Sequence, residues 1–157
     1  MNKGQLFSLD FLSAIFIFMM VFVILLLYWG SYIDNIAKYS ERKDMEIYAN
    51  RIADFFASSG GKPSNWEDDT DYVVTIGLAS LDRTIDEDKL NAFMGMDYDD
   101  IRDKLMIGGY NFCFRLVFSS IEKCDFGPGD EMVAFSSRAV SYNGNNDILQ
   151  IFVWRYL

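Results

Sequence analysis

The sequence predicts an α+β protein in which a long N-terminal helix, membrane-spanning in its lower half, packs on a small, mostly antiparallel β-sheet head with two short helices. The first observation is an apolar run at residues 11–29, interrupted only by Ser13. The second is an amphipathic pattern that continues from this run to about residue 58. The third is the alternation of apolar and polar residues near the end of the chain, which has the period of a β-strand.

The apolar run predicts a helix that spans a membrane. Its nineteen residues carry no charge and would form a helix of about 28 Å, which matches the hydrocarbon core of a bilayer. A cleaved secretory signal fits less well, because such signals have a shorter apolar region and a small residue three positions before the cut. Cutting after Gly30 or Ser31 would place Tyr28 or Trp29 at that position.

Beyond the apolar run, the helix is expected to continue and to end near Ser58. Apolar residues recur there at three- and four-residue steps, while charged residues mark the other faces. Gly60 and Gly61 can cap the end of the helix, and Pro63 prevents its continuation. The apolar positions are Ile33, Ile36, Met45, Tyr48, Ile52 and Phe55. An amphipathic helix of this kind can pack on its own head domain.

The first part of the head is predicted to contain one strand and two short helices. Residues 72–76 have the composition of a strand. Thr84 and Glu87 have the spacing of a capping box, which predicts a helix that stops near Gly95. A second helix is predicted to begin after Asp97 and to end at Gly108 and Gly109.

Three further strands are predicted to close the chain. Residues 112–118 alternate between a buried aromatic face and a more exposed one. Residues 132–142 and 148–156 flank Asn143 and Gly144, which signal a β-hairpin. Both faces of the last strand are largely apolar, so we expect it to be central in the sheet or covered by the long helix. The expected buried residues of the first of these strands are Phe112, Phe114, Leu116 and Phe118.

The head is expected to present a strongly acidic surface. The chain has a net charge of −9, and residues 64–103 hold twelve acidic against three basic residues. This balance argues against nucleic acid as a partner, because phosphate binding needs Lys and Arg. The acids can simply solvate the surface, or they can form a cation site, although neither candidate group has the glycine and spacing of a calcium loop. The two groups are Glu67, Asp68 and Asp69, and Asp97, Asp99 and Asp100.

The residue types predict a protein that is not an enzyme and that holds no cofactor or metal. The chain has no histidine, which removes Ser-His and Cys-His catalysis and most zinc sites. Its two cysteines, Cys113 and Cys124, do not form a C-x-x-C pair. In an oxidising space they could form one disulfide that closes a short loop. Otherwise they are ordinary small apolar residues.

A short polar segment precedes the apolar run. It contains Lys3, Gly4 and Gln5, followed by Ser8 and Asp10. This segment resembles the class III signal peptide of archaeal type IV pilin-like proteins, in which a prepilin peptidase cuts between Gly and Gln. In the usual pattern, Gln-x-Ser-x-Glu/Asp-x-x-x-Leu, the serine and the acid come one residue earlier than here. The head segments GGKPSNW, VVTIGLAS, YDDIRDKLMIGGYNFCFRL and ILQIFVW are also similar to that family.

The resemblance implies a processing site between Gly4 and Gln5 and an assembly role for Asp10. The peptidase would remove residues 1–4 and leave the apolar helix on the mature protein. In filaments of this family, the matching acid is thought to pair with the N-terminal amine of a neighbouring subunit. The alternative is an interfacial Asp10 that the dipole at a helix N-terminus favours.

The domain organisation follows from the helix and from the resemblance. We expect a leader at residues 1–4, a transmembrane and polymerisation helix at 5–30, an amphipathic continuation at 31–61 and an extracellular α/β head at 62–157. The precursor would lie in the cell membrane with its N-terminus in the cytoplasm, and the assembled protein in a cell-surface filament. The implied partners are the prepilin peptidase, the membrane, and copies of the chain or other pilins.

The resemblance therefore implies a type IV pilin-like structural subunit, which we expect to be a minor or accessory one. The competing class is a single-pass, membrane-anchored extracellular binding module that does not polymerise. A third class, a metal-dependent enzyme built on the acidic clusters, lacks both histidine and the expected motif spacing. Removal of the leader separates the first two classes, because filament assembly by this route requires it.

Overall fold

The computed structural model describes residues 3–124 and 133–155, without the side chains of residues 3–8 and of Asp34. The fold is the predicted α+β arrangement, in which a long N-terminal helix packs on a mixed, mostly antiparallel sheet with short helices. Residues 1 and 2 of the expected leader lie outside the described part of the chain, as do the first residue of the strand expected at 132–142 and the last of the strand expected at 148–156.

Helix α1 spans Lys3–Ser58, as the sequence predicts. It runs through two compact units, of which one ends at Glu41 and the other begins at Arg42. In the first unit, all described side chains of residues 9–40 are exposed. This helix is long and apolar enough to cross a membrane. An N-terminal signal sequence can meet the same criteria of length and composition.

The second unit takes its core partly from the last four turns of α1. The buried residues of the helix recur at three- and four-residue steps, so they form one face. The ring of Phe56 lies 5.3 Å from that of Phe93 and 6.0 Å from that of Phe114, both in edge-to-face contact. The helix therefore completes the core of the head. Its buried residues are Met45, Ala49, Ile52, Ala53, Phe56 and Ala57.

The segment after α1 does not form the first predicted strand. Two 3₁₀ turns, Trp66–Asp68 and Thr70–Tyr72, precede an extended stretch that makes one isolated bridge, between Lys62 and Thr75. The backbone N–H of Val74 donates to the carbonyl of Lys62 at 2.9 Å. The prediction of a strand at residues 72–76 was wrong because this stretch pairs with a loop rather than with a neighbouring strand of the sheet.

The next elements are a small hairpin and the two predicted helices. Strands β1 (Ala79–Leu81) and β2 (Thr84–Ile85) precede helix α2 (Glu87–Gly95). Thr84 therefore belongs to a strand, and the predicted capping box is wrong. Asp86 caps α2 instead, since its carboxylate accepts hydrogen bonds from two backbone N–H groups of the first turn.

Helix α3 spans Tyr98–Lys104, and Asp97 caps it as predicted, because its carboxylate accepts from the backbone N–H of Asp99 at 2.9 Å. The helix ends before the predicted glycine pair. Met106 already has a positive φ of 54°, which stops the helical hydrogen bonding two residues before Gly108.

Within the described residues, six strands form one sheet in the order β1-β2-β5-β6-β3-β4. Strands β2 and β5 are parallel, and all other neighbours are antiparallel. The four C-terminal strands are β3 (Asn111–Leu116), β4 (Ile121–Cys124), β5 (Val133–Tyr142) and β6 (Asn145–Trp154). The sequence predicts β3, β5 and β6, but β4 is an addition that the structure reveals.

Strand β6 is central, as its apolar faces predict. It lies between β5 and β3, and Leu149, Ile151 and Val153 are fully buried on its inner face. Asn143 and Gly144, with φ values of 50° and 75°, form the predicted hairpin turn between β5 and β6. Phe118 was expected on the buried face of β3, and this prediction was wrong. The strand ends at Leu116, and the Phe118 side chain is 68% exposed.

Candidate functional site

The residues proposed for processing and assembly all lie at the start of α1. Gly4 and Gln5 belong to its first turns, and their side chains lie outside the described part of the structure. The side chain of Asp10 is exposed, and the hydroxyl of Ser13 donates to the backbone carbonyl of Asp10 at 2.9 Å. Asp10 therefore presents an accessible carboxylate where the apolar surface of the helix begins.

An apolar surface, interrupted only by Ser13, follows Asp10 on all sides of the helix. The large apolar residues from Phe11 to Trp29 are exposed to between 41% and 73%. The three aromatic residues Tyr28, Trp29 and Tyr32 end the run, and such residues are enriched where a helix leaves a membrane. This surface can be covered by lipid or by other apolar helices.

The acidic residues of the head are dispersed among local structural roles. The carboxylate of Asp69 accepts from the backbone N–H of Asp71 at 3.2 Å, as the Asp97 carboxylate does at the start of α3. Asp99 pairs with Arg102 at 3.0 Å. These carboxylates cap helical turns or pair with a cation, which accounts for part of the acidic composition without a bound ion.

Two large residues after α1 were not singled out from the sequence. Lys89 is 6% exposed, and its ammonium donates to the carbonyls of Gly60 and Ser64 at 2.7 Å each. The indole N–H of Trp66 donates to the carbonyls of Gly60 and Gly77. Gly77 packs against the backbone of Ser59 so closely that a side chain would collide with it. Together these contacts fix the loop that connects the helix to the sheet.

The two cysteines lie directly opposite each other on β3 and β4, and a disulfide joins their sulfur atoms. Their Cα atoms are 4.5 Å apart. Arg115 and Glu122, the next outward-facing pair, form an ion pair of 2.8 Å. Within the described residues, one group of candidate metal ligands clusters, Cys113, Glu122 and Cys124, and the disulfide occupies its two sulfurs.

Asp147 is a buried carboxylate with four hydrogen bonds, and no pattern in the sequence predicts this role. It accepts from the backbone N–H groups of Phe118, Ser119 and Ile148 and from the hydroxyl of Ser119, at 2.6 to 3.0 Å. Burial by itself would raise the pKa of Asp147, but these hydrogen bonds outweigh it and hold the pKa below its ordinary value. The charged carboxylate organises the turn between β3 and β4.

Lys123 performs a related role at the end of α2. Its ammonium donates to the carbonyls of Met94 and Met96, the acceptors that the end of a helix leaves free. It also lies over the ring of Phe93, 5.9 Å from the centroid. Burial lowers the pKa of Lys123, with opposition from the nearby negative charge of Asp97. This contact ties the edge strand β4 to α2.

The described geometry defines an α+β protein with a long apolar N-terminal helix. A comparison of the chain with protein-family models, with curated proteins and with solved structures finds no match. The resemblance to pilin-like proteins rests on the sequence motifs at the start of the chain and in the head.

Proposed function

We propose that this chain is a type IV pilin-like structural subunit, minor or accessory in role, of an archaeal cell-surface filament. A prepilin peptidase removes residues 1–4 from the precursor in the cell membrane, whose N-terminus is cytoplasmic and whose head is extracellular. The mature chain then assembles with copies of itself or with other pilins through the N-terminal helix. Its function is structural and involves no catalytic step and no cofactor.

The observation that carries this proposal is the different burial of the two parts of α1. The described side chains of residues 9–40 are exposed, whereas Met45, Ile52 and Phe56 are at most 2% exposed. One continuous helix thus completes the core of the head and also offers a long apolar surface that the described part of the chain leaves uncovered. A polymer of such helices would cover that surface after the subunit leaves the lipid.

The exposed carboxylate of Asp10 fits the same proposal. A carboxylate that reaches the centre of a membrane costs about 2.5 kcal/mol or more, so an acid at the edge of a spanning helix usually has a partner or a function. Cleavage after Gly4 creates a new amine at Gln5. In the filament, this amine pairs with Asp10 of a neighbouring subunit and compensates its charge.

A membrane-anchored binding module is the second candidate, and the outer face of the sheet favours it. The ring of Phe135 is 65% exposed and lies 6.2 Å from the ring of Phe152. Arg115 lies over the Phe152 ring at 5.5 Å. An aromatic pair with one exposed ring, together with a guanidinium, is a composition that occurs at protein interfaces. In this alternative, the apolar helix serves only as an anchor.

Mass spectrometry of the N-terminus tests the proposal. The protein is produced in an archaeal host that has a prepilin peptidase, and its mature form is expected to begin at Gln5. Gly4→Leu is expected to leave the precursor uncut, because the residue before the cut must be small. Gly109→Leu, in the head and outside the proposed assembly helix, is the matched control, because an added Cβ there meets no atom within 4 Å.

The same cells are sheared, and filaments and membranes are assayed separately for the protein. Wild type and Gly109→Leu are expected in the filament fraction, and Gly4→Leu only in membranes. A wild-type protein that retains residues 1–4 and stays in the membrane would favour the anchored binding module instead.

A further inference from the structure

The head contains an apolar pocket that the proposed structural function does not use. The pocket has a volume of about 230 Å³ and lies where α1 meets the loop after α3. Ile52, Ile76 and Leu105 form its buried floor, while Phe55 and Met106 are exposed by 39% and 69% at its mouth. An apolar cavity of about 150 Å³ already accommodates benzene, so this pocket has room for a ring with a short chain.

The lining is almost wholly apolar, and two of the residues that form it carry a positive charge. Arg51 and Lys104 line the pocket, whereas no acidic residue does so among the described part of the chain. Thr75 also lines the pocket, and its buried hydroxyl oxygen has no hydrogen-bond partner within the described residues.

The two cations are held in place by the backbone. The guanidinium of Arg51 donates to the carbonyl of Leu105 at 2.8 Å and lies over the ring of Tyr48. The ammonium of Lys104 donates to the carbonyl of Val73 at 3.1 Å. Guanidinium has five N–H donors and ammonium three, so each cation has donors beyond these contacts. The chain has a net charge of −9, whereas the described residues that line this pocket include two basic ones and no acidic one.

We propose that this pocket binds a small amphiphilic monocarboxylate, with an aromatic or short aliphatic body among the apolar residues and its carboxylate towards Arg51 and Lys104. The two cationic side chains favour the binding of an anion. The apolar floor disfavours small inorganic anions. The thioether of Met106, on a flexible side chain at the mouth, can adapt to bodies of different shape. The inference is independent of filament assembly.

The test uses the full chain in lipid nanodiscs, with [¹³C]methyl-methionine NMR as the readout. The probes are 3-phenylpropanoate and its neutral analogue 3-phenylpropanamide. Binding in the pocket is expected to shift the methyl signal of Met106 in a saturable manner. The signals of Met19 and Met20, in the apolar run, report partition of the probe into the bilayer and are expected to change little. The carboxylate is expected to bind about fivefold more tightly than the amide.

Three variants locate the site. Lys104→Met is expected to weaken binding of the carboxylate about fivefold and to leave that of the amide unchanged. Phe55→Trp narrows the mouth and is expected to abolish the Met106 shift with both probes. Lys43→Met, which removes an exposed lysine earlier in α1, is the charge-matched control and is expected to bind like wild type. The unfolding midpoint of each variant establishes that the head is intact.

Equal affinity of wild type for the carboxylate and the amide would overturn the proposal, as would a saturable Met106 shift that survives in Phe55→Trp. Absence of a saturable shift with 3-phenylpropanoate would also overturn it. If Met106 instead shifts with protein concentration and this shift is lost in Phe55→Trp, the occupant is a second copy of the chain and the ligand assignment is wrong.

Discussion

The guanidinium of Arg138 on β5 donates a hydrogen bond of 2.6 Å to the carboxylate of Asp54 on α1. Beside this pair, the hydroxyl of Ser136 donates to the amide oxygen of Asn50 at 2.8 Å, and Arg138 donates to both of these oxygens. The surrounding contacts between helix and sheet are apolar and have little directional preference. This polar network therefore defines the position of α1 along the sheet.

Replacement of Asn50 by alanine tests that network. The change leaves Ser136, which is 5% exposed, without its acceptor, and Arg138 loses one contact. We expect the free energy of unfolding to fall by about 1–2 kcal/mol, as measured by urea denaturation of the head. Glu46→Ala, one turn earlier, removes only an exposed pair with Arg42 and is expected to change stability by less than about 0.5 kcal/mol. Equal effects of the two substitutions would contradict a role for the network.

Asp147 is expected to make the stability of the head depend on pH below neutrality. Its pKa is lowered in the folded state. The stabilisation is therefore fully present above the unfolded pKa of about 3.9 and is lost as the pH falls through the folded pKa. Asp147→Asn is expected to cost about 1.5–3 kcal/mol at pH 7 and to remove this part of the acid dependence. Urea titrations between about pH 2 and pH 7 measure both effects.

The control for Asp147 is Asp82→Asn, which neutralises an exposed acid in the turn between β1 and β2. It is expected to keep the wild-type stability and pH dependence. An Asp147→Asn protein with the acid dependence of wild type would show that another carboxyl group is responsible.

Truncation of the chain is expected to separate the two roles of α1. A protein that begins at Arg42 retains the buried helix residues and is expected to be soluble and folded. One that begins at Lys62 loses the Phe56 ring and the rest of the helical face, which leaves the inner side of the sheet uncovered. We expect this shorter protein to aggregate, as measured by size-exclusion chromatography and dye binding. Equal solubility of the two proteins would mean that the helix is not needed to complete the core.

The disulfide is expected to stabilise the edge strand β4 on β3. The bridge between Cys113 and Cys124 spans 11 positions of sequence, and closing a loop of about that length typically contributes 2–3 kcal/mol. Unreduced, denatured protein is expected to show no free thiol at these positions, and reduction is expected to lower the unfolding midpoint. A Cys113→Ala/Cys124→Ala variant is the control, because its midpoint should not respond to reductant. Two reactive thiols in the unreduced protein would rule out the bridge.

Asp10 distinguishes filament assembly from simple anchoring. Asp10→Asn keeps the shape and removes the charge, so we expect normal membrane insertion and loss of the protein from sheared filaments. Asp10→Glu keeps the charge and is expected to assemble. If Asp10 is only interfacial, the change removes a helix-dipole contact of about 0.3–1 kcal/mol, and the filament fraction stays the same. Normal filaments from the Asn variant would refute the pairing with a neighbouring amine.

Patterns that repeat along the chain were sufficient to predict the main architecture. The apolar run and the alternation in the last strand follow helical and strand periods, because each side chain's environment is set by local geometry. The stepwise apolar residues after the run predicted the buried face only in part, since Met45 and Ile52 are buried whereas Ile33, Ile36 and Phe55 are exposed. The hairpin at Asn143 and Gly144 follows in the same way, since a tight turn of this kind needs residues that accept a positive φ. In the candidate site, the exposed position of Asp10 at the edge of the apolar surface was also predictable.

Tertiary contacts decided what these local patterns left open. Residues 72–76 have the composition of a strand, but their backbone pairs with Lys62 in a loop that Lys89 and Trp66 hold. Asp147 lies in a polar stretch of the sequence, and it becomes a buried acceptor only because the turn after β3 approaches the start of β6. The pocket beside Arg51 likewise forms from segments that are distant in sequence. Such contacts depend on which surfaces meet in the fold, and no periodic pattern in one segment encodes its partner in another.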